Sequence, residues 1–237
     1  MGTLLQWASQ QNPTEVAVWS LLINGAVLGL ALCLGAIVTG LLRRDARAPQ
    51  PTTRRELSLA TLCLVCNSLV TLVGWRLFQA GILRVSADFG AWRTARDALV
   101  LFFVMDLAMF VTHRLAHAPL LYRHVHCVHH EHVQVKPLTL FVLHPLEVFG
   151  FGGLWLAVLY CGSFSLSGML LYLTLNTSFG VVGHLGFEPL PKSWANSPIG
   201  RCIGTSSFHA RHHQDPNSNF GFYTTLWDRW FDSSSSR

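Results

Sequence analysis

The sequence predicts an all-α integral membrane protein with about four transmembrane helices and a cytoplasmic, histidine-rich helical cap. Three observations predict it. Of 237 residues, 51% are apolar and 12% charged, about half the usual charged share, and the mean hydropathy is +0.37. Several long stretches carry no charge. All twelve histidines fall between His113 and His213. This composition excludes a disordered chain, a coiled coil and a small disulfide scaffold. The net charge of +5 is modest, and no nucleic-acid partner is expected.

The first span is read from Val16 to Leu42, 27 residues without a charge, where a bilayer core needs about 20. Its length and non-basic flank argue against a cleaved signal peptide. Leu57 to Trp75 gives a second span. Between them lie Arg43, Arg44, Arg47, Arg54 and Arg55, against Asp45 and Glu56. The positive-inside rule puts that loop in the cytoplasm, so the N-terminus faces out. Ala98 to Thr112, interrupted only by Asp106, returns the chain to the cytoplasm. Residues 148–183 are 36 uncharged residues, the length of a helical hairpin, turning near Cys161-Gly162-Ser163. Every histidine then falls on one membrane face. Cys63 and Cys66 have metal-like spacing but lie mid-span with no second pair, and are read as small apolar filling. The expected organisation is a membrane anchor at 1–97, a catalytic unit at 98–232 and a loose serine tail at 233–237.

Three histidine groups stand out: His113/His117, His126/His129/His130 and His209/His212/His213. On a helix, positions i, i+3 and i+4 share a face, so each group is expected to cap a metal from one side. Eight crowded imidazoles repel if protonated, whereas metals bind the neutral ring. Eight nitrogens exceed what one ion accepts, so two metals are expected. Ligand type alone leaves zinc, copper, iron and nickel open.

The ordered motifs resemble the fatty acid hydroxylase/sterol desaturase superfamily of histidine-rich, integral-membrane di-iron enzymes. The resemblance spans Ala98 to Phe231. It includes Asp106 seven residues before His113, His113-Arg-x-x-His117, His144-Pro145-x-Glu147, the His-x-Gly-x-Glu-x-x-Pro element from His184 to Pro191, Asn219-Phe220-Gly221, and Trp227-Asp228-Arg229-Trp230-Phe231. Two departures exist. Asp232 and serines follow Phe231 where the family has Gly-Thr, so the tail is read as truncated or divergent. Gly180 also stands where some members carry a further histidine.

The resemblance implies that His113, His117, His126, His129, His130, His209, His212 and His213 are ligands, with His184 the ninth. His144 is an additional candidate, or a group supporting the ligands, at a helix entry where Glu147 meets a positive helix N-terminus. Asp106, an acid within a span, is expected to accept a ligand ring N–H, as are Glu188 and Asp228. His124 and His132 are read as flanking residues. Trp227, Trp230 and Phe231 are read as an interfacial aromatic belt.

The implied cofactors are two iron ions with O2 as co-substrate; a purified sample can carry zinc instead. The implied reaction is hydroxylation of a lipid C–H bond, with desaturation as the alternative. A separate reductase, ferredoxin or cytochrome is expected as electron donor, because the chain has neither GxGxxG nor the His-Pro-Gly-Gly of a fused cytochrome b5. A zinc hydrolase is disfavoured because HExxH is absent. A metal transporter is disfavoured because its ligands would sit near mid-membrane. With no C-terminal dilysine or KDEL signal, a bacterial inner membrane is favoured over the endoplasmic reticulum.

Overall fold

A computed structural model describes residues 2–43, 50–195 and 197–234. Arg44, Asp45 and Arg47 of the charged loop, and the end of the serine tail, lie outside the described residues. The elements are α1 (Gly2–Gln10), α2 (Pro13–Leu42), α3 (Arg54–Gln79), β1 (Arg84–Ser86), α4 (Ala91–Ala116), α5 (Pro119–Leu121), α6 (Cys127–His130), α7 (Pro145–Tyr160), β2 (Ser163–Ser165), α8 (Leu166–Gly183), α9 (Lys192–Ala195), α10 (Ser206–Gln214) and α11 (Leu226–Trp230). A π-helical turn covers Tyr122–His126, and 3-10 turns cover Pro137–Phe141 and Gly200–Cys202.

Helices α2, α3, α4 and α8 are long and apolar enough to cross a membrane, and α7 is a shorter apolar helix. They begin where capping chemistry dictates rather than where charge ends. Asn12 and Thr53 form capping boxes with Glu15 and Glu56, satisfying amide groups that a helix start leaves open. Helix α4 starts at Ala91, a full turn and more before the uncharged run. Its early charges are tied down: Asp97 accepts from Arg93 Nε at 2.7 Å, Arg96 Nη2 at 2.6 Å and the Ser165 amide at 2.7 Å.

The hairpin forms as expected. Helices α7 and α8 meet at a turn over Cys161–Gly162, and β2 pairs in parallel with β1. That pairing puts the hairpin tip and the α3–α4 connection at one end of the bundle. The histidines lie at the other end with the start of α3. There Glu56 meets Lys136 Nζ at 2.9 Å, and Arg55 pairs with Glu131. The arginine-flanked connection and the histidines therefore share an end. Helix α1, which the sequence did not suggest, packs at the opposite end, where Trp75 Nε1 donates to the Ala8 carbonyl at 2.7 Å.

Helices pack α2 on α3, α3 on α7, and α4 on α7 and α8. Outward faces carry large apolar side chains, such as Leu22, Ile23, Leu30 and Ile37 on α2 and Leu99, Phe103 and Val104 on α4, as a lipid-facing surface requires. Cys63 and Cys66 are buried with Val148 and do pack as small apolar residues. Small residues let backbones approach closely. A Cβ on Gly168 would lie 2.6 Å from the Asp97 Cβ and 3.2 Å from the Thr94 carbonyl oxygen. Gly168→Val is therefore expected to force α4 and α8 apart, costing about 1–3 kcal/mol, and thermal unfolding in detergent should show a lowered Tm.

Candidate metal centre

Five local devices deliver the nine expected histidines. Helix α4 ends at the histidines: His113 sits in its last turn and His117 is its C-cap. The π-helical turn carries His126, and α6 carries His129 and His130. His184 caps α8. Helix α10, whose N-cap Thr205 accepts from the Phe208 amide, presents His209, His212 and His213. Eight of the nine are buried, and His117 is partly so.

The rings form two clusters. One ring nitrogen from each of His113, His117, His126, His130 and His212 lies within 4.8 Å of the others; His129, His184, His209 and His213 form a second such set. This corrects one expectation. The triplets do not each cap one metal. Each is divided, with i and i+4 staying together and the i+3 residue (or its equivalent) crossing to the other cluster. Successive helical residues turn by about 100°, so i+4 lies about 40° from i on one side and i+3 about 60° away on the other. A triplet on a helix end therefore reaches two centres.

Hydrogen bonds fix which nitrogen of several rings is bare. A carbonyl or carboxylate can only accept, so the ring nitrogen facing it carries the proton. His113 Nδ1 donates to the Phe220 carbonyl (2.8 Å), His212 Nδ1 to Ser218 (2.7 Å), His184 Nδ1 to Gly180 (2.9 Å) and His129 Nδ1 to Val142 (3.3 Å). His126 Nδ1 donates to Glu147 Oε1 at 2.7 Å. The Nε2 atoms of His113 and His126 are thus both unprotonated, yet they face each other at 3.1 Å. His184 Nε2 and His209 Nε2 stand 3.3 Å apart, and His209 Nε2 and His213 Nε2 3.2 Å. His117 Nε2, both nitrogens of His130, His212 Nε2 and His213 Nδ1 are buried without a hydrogen-bond partner. Opposed lone pairs and orphaned buried nitrogens are costly alone. They are what a cation between them requires, so the residues present fit two metal ions.

Burial holds these rings neutral. It lowers the His117 pKa to about 2, with the neighbouring His113, His126 and His130 adding to the effect, and the His130 pKa to about 3. His184 falls to about 4, the carbonyl of Gly180 opposing the shift. His129, His209, His212 and His213 are all lowered far below the ordinary value, first by burial and then by neighbouring histidines of both clusters. Neutral imidazole is the ligating form.

The acids depart from expectation. Asp106 accepts no histidine N–H. It takes the Tyr223 and Thr224 amides (3.2 and 3.1 Å), the Thr224 hydroxyl and Trp227 Nε1 (2.9 Å). Trp227 is thus anchored inside rather than serving in an interfacial belt; Trp230 is exposed, and Phe231 stacks on Phe110. Asp228 accepts the Phe220 and Gly221 amides (2.8 and 2.7 Å) and the Ser233 hydroxyl. Ser233, expected to open a loose tail, is buried and held. Glu188 accepts the Ser207 amide at 3.0 Å and its hydroxyl, at the start of α10. These carboxylates hold backbone, and the backbone holds rings. Asn219 adopts φ +59°, turning the chain so that the carbonyls on either side, Ser218 and Phe220, reach His212 and His113. Gly186, at φ +75°, would bring a Cβ to 2.5 Å from the Val135 carbonyl, so the His-x-Gly element tolerates no side chain there.

His144 stands outside both clusters. It is the N-cap of α7, its Nδ1 accepting from the Leu146 amide. His124 is exposed, and His132 lies near Glu56 at 3.4 Å. The sequence reading placed Glu147 at a helix entry but assigned it no ring; its place in the first turn of α7, beside His144-Pro145, was the available signal that it backs His126. A groove of about 420 Å³ is lined by Phe102, Phe103, Phe179, Ile199, Cys202 and Tyr223, among others, with almost no polar surface. Tyr223 adjoins Phe222, whose ring lies 6.5 Å from that of His209.

An apolar bundle carrying two buried histidine cages at one end defines a class of membrane protein with room for paired ions. The chain belongs to the fatty acid hydroxylase family, which matches residues 98–233. It is 26% identical over 187 residues to the very-long-chain aldehyde decarbonylase GL1-8 of Oryza sativa subsp. indica, covering 78% of this chain and 69% of that protein. It is 26% identical over 162 residues to methylsterol monooxygenase 2-2 of Arabidopsis thaliana, covering 68% and 60%. Against the Delta(7)-sterol 5(6)-desaturase of Leptosphaeria maculans identity is 29% over 124 residues, covering 52% and 33%. No solved structure gives a significant match. The chain is an oxidoreductase of this membrane-embedded, lipid-modifying family.

His129→Ala and His212→Ala take one nitrogen from different clusters. Each is expected to weaken retention of bound metal by about tenfold or more, the lower end for losing even an outer partner of a ligand, and to abolish turnover. Metal analysis of the purified variants checks this; either variant keeping two metals and full activity would remove that residue from the ligand set.

Proposed function

We propose that the protein is a membrane-bound di-iron oxygenase that hydroxylates a C–H bond of a lipid, a fatty acyl chain or sterol, using O2 and electrons from a separate reductase, ferredoxin or cytochrome. The observation that carries this reading is the pair of clusters, nine imidazoles, eight of them buried and His117 partly so, with unprotonated nitrogens turned inward. His113, His117, His126, His130 and His212 would hold one iron, and His129, His184, His209 and His213 the other. Two irons with O2 supply the oxidising power that an unactivated C–H bond needs, which zinc does not.

The remaining work falls to the chain. Backbone carbonyls and Glu147 keep the ring orientations fixed, so the ligand geometry exists before substrate arrives. Burial excludes water from the site. The apolar groove offers lipid a lateral way in: Phe102 and Phe103 belong to α4, whose outer face meets the bilayer. Phe102 lies eleven residues before His113, ~16 Å along the helix axis, so a chain in the groove would hold its tail deep in the membrane while a carbon nearer the surface meets the site.

Desaturation by the same site is the second reading, favoured by the likeness to a protein named as a sterol desaturase. The two outcomes diverge on positioning of the substrate after the first hydrogen leaves. Incubation with ¹⁸O2 and mass spectrometry of the lipid product tests them. Hydroxylation gives a product heavier by one labelled oxygen. An unlabelled product lighter by two hydrogens would overturn the hydroxylase reading and leave the metal centre in place.

The histidine end is proposed to face the cytoplasm on the strength of Arg43, Arg54 and Arg55 at that end. In a background without other accessible cysteines, Gln134→Cys should react with a membrane-impermeant maleimide only after the cells are permeabilised. Labelling of intact cells would reverse the orientation.

A further inference from the structure

Among the described residues, Glu147 is the one carboxylate hydrogen-bonded to a clustered histidine, and it serves a single cluster. Its Oε1 lies 2.7 Å from His126 Nδ1, with the two side chains 4% and 2% exposed. The other bonded Nδ1 atoms of the clusters, those of His113, His212, His129 and His184, face neutral carbonyls. The second oxygen, Oε2, is buried without a partner, and no Lys or Arg forms an ion pair with this carboxylate among the described residues. The start of α7 offers it a partial positive charge. That compensates little of a buried charge, which ordinarily needs a full partner. A cation held by His126, across its imidazole in the five-histidine cage, would supply the positive charge that this carboxylate lacks among the described residues.

We propose that Glu147 is a positioning residue that sets the two metal sites apart electronically, making the five-histidine cluster the harder of the two to reduce. The proposal rests on the di-iron reading above. A full negative charge transmitted through a ligand ring raises that ligand's basicity and stabilises the more highly charged metal ion. In a dry site it is screened little. The four-histidine cluster, with no such charge and one fewer nitrogen, takes the first electron. Reduction moves one electron to each ferric ion, the donor being oxidised; no bond in the protein forms or breaks.

The test uses the full chain in lipid nanodiscs, loaded with ⁵⁷Fe and titrated with dithionite and mediator dyes, with Mössbauer spectra at each potential. The wild type is expected to show two iron populations reduced in separate steps. Glu147→Gln keeps a hydrogen-bond acceptor for His126 and removes the charge. It should retain both irons while the later step moves to higher potential by at least tenfold in equilibrium constant, about 59 mV for one electron. Glu147→Asp, which keeps the charge, should stay closer to the wild type than Gln does. Two irons reduced together in the wild type would overturn the proposal, and so would a Gln variant that titrates like it. Should Glu147→Gln fail to fold, the wild-type titration and the Asp variant decide. Protein that takes up no iron at all would overturn the di-iron reading itself.

Discussion

The fold is organised around one electrostatic constraint: nine imidazoles stand close together out of water. Protonated, they would repel one another and lose hydration that nothing nearby replaces. Neutral, they still leave opposed lone pairs, as between His113 and His126 at 3.1 Å. A bundle can hold them in that state only if other contacts fix every ring. The helices, caps and strap that surround the cages are the means. The same burial that brings His117 and His130 down to pKa values of about 2 and 3 keeps the rings in the neutral form that can ligate a metal.

Helix α4 carries much of that burden. Asp97, near its start, ties the hairpin through the Ser165 amide. Asp106, nine residues on, holds Tyr223, Thr224 and Trp227. His113, seven residues further and nearly in line with Asp106, enters a cage. The strap from Ser218 to Asp228 lies against it and works in two directions. Its amides are gathered by Asp106 and Asp228, and its carbonyls at Ser218 and Phe220 orient His212 and His113. A buried acid thereby reaches a ligand through a peptide group rather than directly. The arrangement keeps the anionic groups a step away from most of the rings, so the neighbourhood of the cages stays close to neutral.

Much of this was legible in the sequence because it depends on composition and spacing. Uncharged runs gave the spans and the hairpin. HxxxH and HxxHH spacing marked eight of the nine clustered histidines, the family resemblance added His184, and the His-Pro step gave the entry into α7. What was hidden depends on where backbone lies. Nothing in the residue names Val142, Gly180, Ser218 or Phe220 says that a carbonyl will face a ring. The acids misled for the same reason: Asp106, Glu188 and Asp228 sit near histidines in sequence, yet each meets amides that the fold brings closer. Splitting of the triplets was missed because a shared helical face is not a shared point. Helix α1 escaped because nine residues are too short a stretch to mark a helix by its pattern.

The divided triplets carry a mechanical consequence. Because His126 and His130 serve one cage while His129 serves the other, α6 cannot rotate without disturbing both, and α10 is bound in the same way through His212 against His209 and His213. The spacing between the cages is therefore set by the width of two helices' ends, not by any single bridging residue. The π-helical turn at Tyr122–His126 belongs to this logic. A wider turn shifts the angular position of the residues before it relative to α6, while His126 keeps the i, i+4 relation to His130 that puts both rings in one cluster. A local departure from regular helix thus stands where one short segment serves two histidine clusters.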